Sequence, residues 1–509
     1  MTILANWGMG FVNMLSSPIS IALLIAGGML GLIVGALPGL NSSIAMSVLI
    51  PVTYGMDPVA ALGMLAGIYT GSTAGGSVSA ILLRIPGTGA AVVTAMDGYE
   101  MQKKNQGGLA LGISAVSSVF GGVVASILLG TCAPMVANLA LRFGPPEYFM
   151  LCVMGFCSVL GMSVGRMSKN VMSILIGIAI SIIGISPQGG LKRFTFGSNA
   201  LLEGVPLVPM LIGLFGIASI LELIAEMQPM EKAAQTAENL KEAVQRIKIA
   251  YPDKKMIKKF LPVWLQSTII GNIVGAIPGA GMTVAIFMAY DQVKRTTKSE
   301  IEFGKGAPEG VAAAECANNS VVGSSMIPLL ALGVPGNAAS ALFLGALMIH
   351  GLRTGPKFFI ESADIAYSLI VAFLLASILL LPLMHIFVNY MACHVLRLKR
   401  EVLNGMILIL CVTGAFATGN NYTYISFACI FGFIGFLLKQ WNIPFGSLIL
   451  AVVLGDMMES YFIQSKVILH SNWGQIINRP ISMGLLFLSI LFLALPVFRF
   501  IKKEFIKYS

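Results

Sequence analysis

Long apolar blocks dominate the chain. Ile19–Leu40, Leu109–Leu141 and Val171–Ile185 carry no charge, and Met406–Lys439 is charged only at its final lysine. A run of about 20 apolar residues is the length that crosses a hydrocarbon core about 30 Å thick. The longest blocks are long enough for two spans. The pattern predicts an all-α polytopic membrane protein with about ten to twelve transmembrane helices. One segment breaks it: Gln228–Lys259 is polar, much of it at helical spacing. The expected organisation is therefore an N-terminal membrane half over 1–227, a linker over 228–259 and a C-terminal membrane half over 260–509.

Composition agrees with this pattern. Of 509 residues, 56% are hydrophobic and 11% charged, with a mean hydropathy of +0.86. Soluble domains carry about 25% charged residues. The net charge of +10 does not call for nucleic acid, because the basic residues lie between or beyond the apolar blocks. Eight of them fall in 228–259, against four acidic residues. The positive-inside rule then places the linker, and the C-terminal tail RFIKKEFIKYS, in the cytoplasm. The N-terminal MTILANWGMGF has neither a basic n-region nor a small-residue cleavage site, so the first apolar stretch is expected to be retained as a span. The seven cysteines form no CxxC pair and lie mostly in apolar segments, as small buried residues do.

The two halves resemble each other. Gly31-Leu-Ile-Val-Gly-Ala-Leu-Pro-Gly39 recurs as Gly271-Asn-Ile-Val-Gly-Ala-Ile-Pro-Gly279, identical at seven of nine positions with an offset of 240. Ile85-Pro-Gly-Thr-Gly89 parallels Val334-Pro-Gly-Asn-Ala338 at an offset of 249. A small polar run precedes each of the second pair: Thr70–Ser77 in one half, Asn318–Ser325 in the other. Three ordered matches at nearly constant offset establish an internal duplication, expected to be inverted in the membrane because midplane sites recur between inverted repeats.

Pro-Gly inside an apolar block breaks a helix, because proline lacks an N–H and glycine permits positive φ. Freed backbone groups are tolerated at membrane depth only inside protein or along a cavity. Breaks at matching places in two halves point to a transport site. Exposed N–H groups at a half-helix start attract anions. The candidates for an anionic substrate are Asn41, Ser42, Ser43, Ser72, Ser77, Gly87, Thr88, Asn318, Asn319, Ser324, Ser325, Gly336 and Asn337. Arg84 joins them, since a guanidinium can hold a carboxylate bidentately; an interfacial arginine reaching for water fits it equally. Unwound carbonyls and hydroxyls suit a cation, giving Gly39, Thr70, Gly75, Gly279, Thr283 and Ser320. Glu315 is added as an ionisable group in an apolar setting, able to bind Na⁺ or carry a proton. Any one glycine or serine is equally explained by close helix packing. No cofactor is expected, and Na⁺ is the only metal. GxxxxGK[ST] and HExxH are absent, and the four histidines have no ligand spacing.

The stretches GALPGLNSSIAMSVLIPVTYGMDPVAALGMLAGIYTGSTAGGSVSAILLRIPGTGAAVVTAMDGYEM and FGKGAPEGVAAAECANNSVVGSSMIPLLALGVPGNAASALFLGALMIHGL resemble the signatures of the large membrane subunit of tripartite tricarboxylate transporters (TctA-like). Arg193-Phe-Thr-Phe-Gly197 and Asn478-Arg-Pro-Ile-Ser482 also fit. The resemblance covers essentially the whole chain. It implies a bacterial inner-membrane importer, not an enzyme. A periplasmic solute-binding protein delivers a carboxylate such as citrate, a small membrane subunit accompanies the large one, and a Na⁺ or H⁺ gradient drives symport. The family's paired signature regions map onto Gly35–Ser43, Thr70–Thr88, Gly275–Thr283 and Glu315–Asn337. Arg84, Cys316 and Asn41–Ser43 depart from the family pattern beside the site, which bears on the substrate and not on the fold. An elevator-like alternating-access carrier is the expected mechanism; a channel or ion exchanger built on the same breaks is the alternative.

Overall fold

A computed structural model describes residues 3–37, 39–85, 88–162, 167–225, 248–396 and 400–508. Most of the expected linker, with Pro38, Pro86 and Gly87, lies outside the described residues. The protein is all-α; the only strands among the described residues are β1 (Gly184–Ile185) and β2 (Lys192–Arg193), paired antiparallel. Among the described residues, seven helical segments are each long and apolar enough to cross a membrane, against the expected ten to twelve. Shorter apolar helical stretches accompany them, among them Ser42–Thr53, Met167–Ser181 and Ala338–Ile349.

The first repeat opens with α1 (Ile3–Ser16) and α2 (Pro18–Ala36). The chain turns at 37–41 and returns as α3 (Ser42–Leu49), then continues into α4 (Pro58–Leu83) and α5 (Ala91–Lys103). Helices α2 and α4 run parallel with their backbones in contact. Gly27 and Gly31 face Met64 and Ile68, while Gly67, Gly71 and Gly75 face Leu24, Gly28 and Leu32, so a Cβ at any of these would overlap opposing backbone. Helix α4 is buried almost throughout. Its glycines, serines and threonines therefore meet protein and not lipid, which is where such a composition is tolerated.

Helices α6 (Gly107–Ala140), α7 (Pro145–Met162), α8 (Met167–Ser181) and α9 (Leu207–Ala225) complete the first half. The second half repeats the opening plan. Helix α10 (Lys254–Gly275) ends at a turn and returns as α11 (Gly281–Thr296). Then α12 (Pro308–Ser324) continues through α13 (Met326–Leu332) to a break before α14 (Ala338–Ile349). Here too the hairpin arm runs parallel to its neighbour, with Gly271 against Ala317 and Gly275 against Val321. The chain finishes with α15 (Ala363–Val395), α16 (Arg400–Ala417), α17 (Tyr422–Gln440), α18 (Phe445–Ile468) and α19 (Pro480–Tyr508).

Two faces can be distinguished. A chamber of about 1020 Å³ opens on one, lined by the ends of α8 and α14, the middle of α18 and the start of α9. Helix α9 crosses away from it and ends at Ala225, directly before the linker. Helix α4 starts on the chamber face, where Thr53 Oγ1 and His350 Nε2 meet at 3.3 Å. Helix α12 starts on the opposite face, where Lys259 pairs with Glu309 at 2.8 Å. The two helices cross antiparallel: Tyr69 OH meets Ser325 Oγ, and four residues on, Thr73 O accepts from Asn318 Nδ2. The α2–α3 hairpin thus enters from the chamber face and the α10–α11 hairpin from the opposite one.

Candidate functional site

The breaks of both repeats converge on an open cavity of about 500 Å³. Asn41, Ser42 and Ser43 line it from the first hairpin tip, and Gly279, Ala280, Gly281 and Thr283 from the second. The start of α5 contributes Thr88, Gly89 and Ala90, and the start of α14 contributes Pro335, Asn337 and Ala338. Repeat-related positions line the same cavity: Ser43 and Thr283 are 240 apart in sequence, and Thr88 and Asn337 are 249 apart.

Local chemistry shapes each tip. Asn41 caps α3 by accepting Ile44 N–H at 3.0 Å. Thr88 Oγ1 accepts Ala91 N–H at 3.2 Å. Asn337 and Ser340 form a reciprocal capping box, and Asn337 Nδ2 donates to Tyr69 OH at 2.9 Å. Gly279 and Gly281 take φ of +74° and +75°, which only glycine adopts without strain. Gly279 N–H donates to Gly336 O at 2.9 Å, joining the two breaks of the second repeat.

Six helices begin at this wall: α3, α5, α8, α11, α14 and α18. Each helix start carries a partial positive charge and backbone N–H groups without intrahelical partners. No aspartate or glutamate is among the described lining residues, and the single charged one is Lys169. The electrostatics of such a cavity favour an anion.

Other sequence candidates lie elsewhere. Ser72 bonds Tyr69 O, and Ser77 bonds Ala74 O and accepts from Ser114. Gly75 serves the α2–α4 contact, and Gly336 approaches Gly275 and Ser325 closely. Ser320 and Ser324 donate to backbone carbonyls, and Ser325 to Val322 O. Gly39, with φ +87°, forms the first tip outside the lining. Arg84 is an exposed left-handed cap of α4, set over the Tyr99 ring, and does not reach the cavity. Gly87 lies outside the described residues.

Glu315 belongs to a second cluster, between α5, α6 and α12. Its carboxylate accepts from Thr94 Oγ1 and, at 3.4 Å, from Ser118 Oγ, which in turn accepts from Asn319 Nδ2. Glu315 is fully buried and makes no ion pair among the described residues. Thr70 Oγ1, Asn318 Oδ1 and Asn319 Oδ1 are buried on α4 and α12 without a hydrogen-bond partner.

Sequence reasoning missed the third wall. Lys169 and Asn170 at the start of α8, and Asn442, Pro444 and Ser447 at the α17–α18 junction, complete the lining. The available signal was the short polar interruption Ser163–Asn170 between two apolar blocks, a break without proline. The two small motifs are ion-pair anchors. Arg193 holds Glu459 bidentately at 2.7 and 2.9 Å, pinning the β-hairpin to α18. Arg479 and Ser482 hold Glu147, tying α19 to α7.

Residues 21–450 match the tripartite tricarboxylate transporter TctA family. The chain belongs to that family. It is therefore a multi-pass membrane protein and the large subunit of a tripartite transporter, a system that includes a binding protein and a small membrane subunit. Among its relatives is a protein of Agrobacterium vitis described as an uncharacterized 52.8 kDa protein in the TAR-I ttuC′ 3′ region. It is 33% identical over 490 residues, covering 96% of this chain and 94% of its own length. A second Agrobacterium vitis protein, from the TAR-II ttuC′ 3′ region, is 29% identical over 238 residues, 46% of this chain and 96% of its own. No solved structure matches the chain.

Proposed function

We propose that this subunit imports a carboxylate by alternating access, taking it from a periplasmic binding protein through the chamber into the 500 Å³ cavity. The observation that carries this reading is the convergence of six helix starts on a cavity with no acidic lining among the described residues. Together they supply many N–H donors and a positive field for carboxylate oxygens.

The direction of entry follows from charge. The face opposite the chamber carries Lys103, Lys104 and Lys305 beside the start of α12, Lys254 and Lys255 at the start of α10 and Lys294 at the end of α11. That face is the cytoplasmic one by the positive-inside rule, with the chamber in the periplasm. Antiparallel crossing of α4 and α12 supports an inverted relation between the repeats.

The Glu315 cluster suits the coupling cation. A buried carboxylate without a cationic partner is costly, and a proton or Na⁺ would relieve it. Glu315, Ser118, Asn318 and Asn319 offer the hard oxygen ligands that Na⁺ takes. No cluster of three His, Cys, Asp or Glu side chains suited to a transition metal occurs among the described residues. Loading an anion in the cavity and a cation beside it lowers the cost of each, so both cross together.

The test is uptake into sealed proteoliposomes holding the chain and its small membrane partner. Binding protein and labelled carboxylates are added outside, with and without an inward Na⁺ or H⁺ gradient. Saturable uptake that needs both binding protein and gradient supports the reading. Ion flux without carboxylate favours a channel instead.

A further inference from the structure

We propose that Lys169 is the charge-selecting residue of the cavity, holding the end of an anionic cargo that lies away from the repeat breaks; the inference rests on the anion-cavity reading above. The repeats supply the hairpin-tip, α5 and α14 walls, where all the lining side chains are neutral. Helix dipoles there attract negative charge in general and do not count it. The wall opposite comes from the α7–α8 hairpin and the α17–α18 junction, outside both repeated motifs. It places one full positive charge at the cavity, on Lys169.

This wall is held in advance of any ligand. Lys169 Nζ donates to Trp441 O at 2.6 Å, which fixes the ammonium at the end of α17. Ser173 Oγ donates to Pro444 O at 2.6 Å, and Ser447 Oγ to Asn170 Oδ1 at 2.9 Å, clamping α8 to the start of α18. An ammonium has three donors, so two remain for cargo. Pre-positioning reduces the ordering cost that binding would otherwise carry. A monoanion is satisfied by the helix starts alone and gains little from Lys169. A cargo with a second carboxylate gains a charge-assisted bond there. Lysine is a compact point charge, without the fixed fork of arginine, so it selects for charge and tolerates differences in shape.

The experiment measures binding of citrate, succinate and propionate to the purified full chain in lipid nanodiscs. Wild type is compared with Lys169→Gln and Lys169→Arg, each checked for an unchanged unfolding temperature. The expected result is that wild type ranks the probes by charge. Lys169→Gln should lose about tenfold or more in affinity for citrate and succinate and stay within about twofold for propionate. Lys169→Arg should restore most of the ranking. Equal loss for all three probes, or none for the polyanions, would overturn the proposal and leave the anion cavity standing. A folded wild type that binds none of the three would remove the cavity reading, and this inference with it.

Discussion

At the scale of single residues, two buried carboxylates have contrasting surroundings. Asp97 on α5 is fully satisfied: Oδ1 accepts the N–H groups of Gly304, Gly306 and Ala307 at 2.8–2.9 Å, and Oδ2 accepts Tyr290 OH at 2.7 Å. It latches the loop before α12 onto the first repeat. Asp97→Ala would strand these donors, and each buried unpaired polar group costs about 1–3 kcal/mol. The expected outcome is a large fall in unfolding temperature in detergent, partly recovered by Asp97→Asn, which keeps the Oδ1 acceptor. Glu315 is the opposite case, buried with hydroxyl donors and no counter-charge among the described residues. Glu315→Gln removes an uncompensated charge while keeping an oxygen for Thr94. The unfolding temperature should hold or rise, while the dependence of uptake on the Na⁺ or proton gradient is lost; retained dependence would place the coupling ion elsewhere.

At the scale of elements, the parallel α2–α4 contact rests on the absence of side chains. Gly71→Leu would drive a side chain into the Gly28 backbone, which has no rotamer by which to give way. Overpacking typically costs about 1–3 kcal/mol, and a backbone clash stands at the upper end or beyond. The variant should therefore express poorly and unfold earlier in a thermal melt. Gly8→Ala, with open space around the new Cβ, should be unchanged or slightly stabilised. These hairpins were legible in the sequence because proline and glycine are local signals. The breaks at Asn41–Ser43, Thr88, Thr283 and Asn337 were found for that reason, and all of them line the cavity. Glycines and serines one turn away share the same composition, yet they serve packing, as Ser72, Ser77 and Gly75 do. Composition does not record which way a helical side chain points. The Lys169 wall was not legible because the polar interruption Ser163–Asn170 has no proline and reads as an ordinary loop between two apolar blocks.

At the scale of the whole molecule, sidedness is open to direct measurement. With exposed Cys429 replaced by serine, Lys357→Cys and Lys305→Cys provide exposed probes on the two faces. A membrane-impermeant maleimide added to spheroplasts should label Lys357→Cys at once, and Lys305→Cys only after permeabilisation. The reverse pattern would put the chamber in the cytoplasm. The glycine seams bear on motion as well. Where two backbones touch along several turns, no layer of side chains remains to shear, so each hairpin arm and its neighbour must travel as a welded pair. Displacement has to occur at a softer boundary, where ordinary side chains separate the parts. Helices α7 and α17 are bound to the repeat halves by the Ser158–Pro278 hydrogen bond and the close Gly213–Ala428 backbone approach, whereas the α8 and α18 wall meets the hairpin tips across the cavity itself. If that wall and the tips part during transport, as the proposed alternating access would require, the step that carries cargo across would also loosen the grip of Lys169.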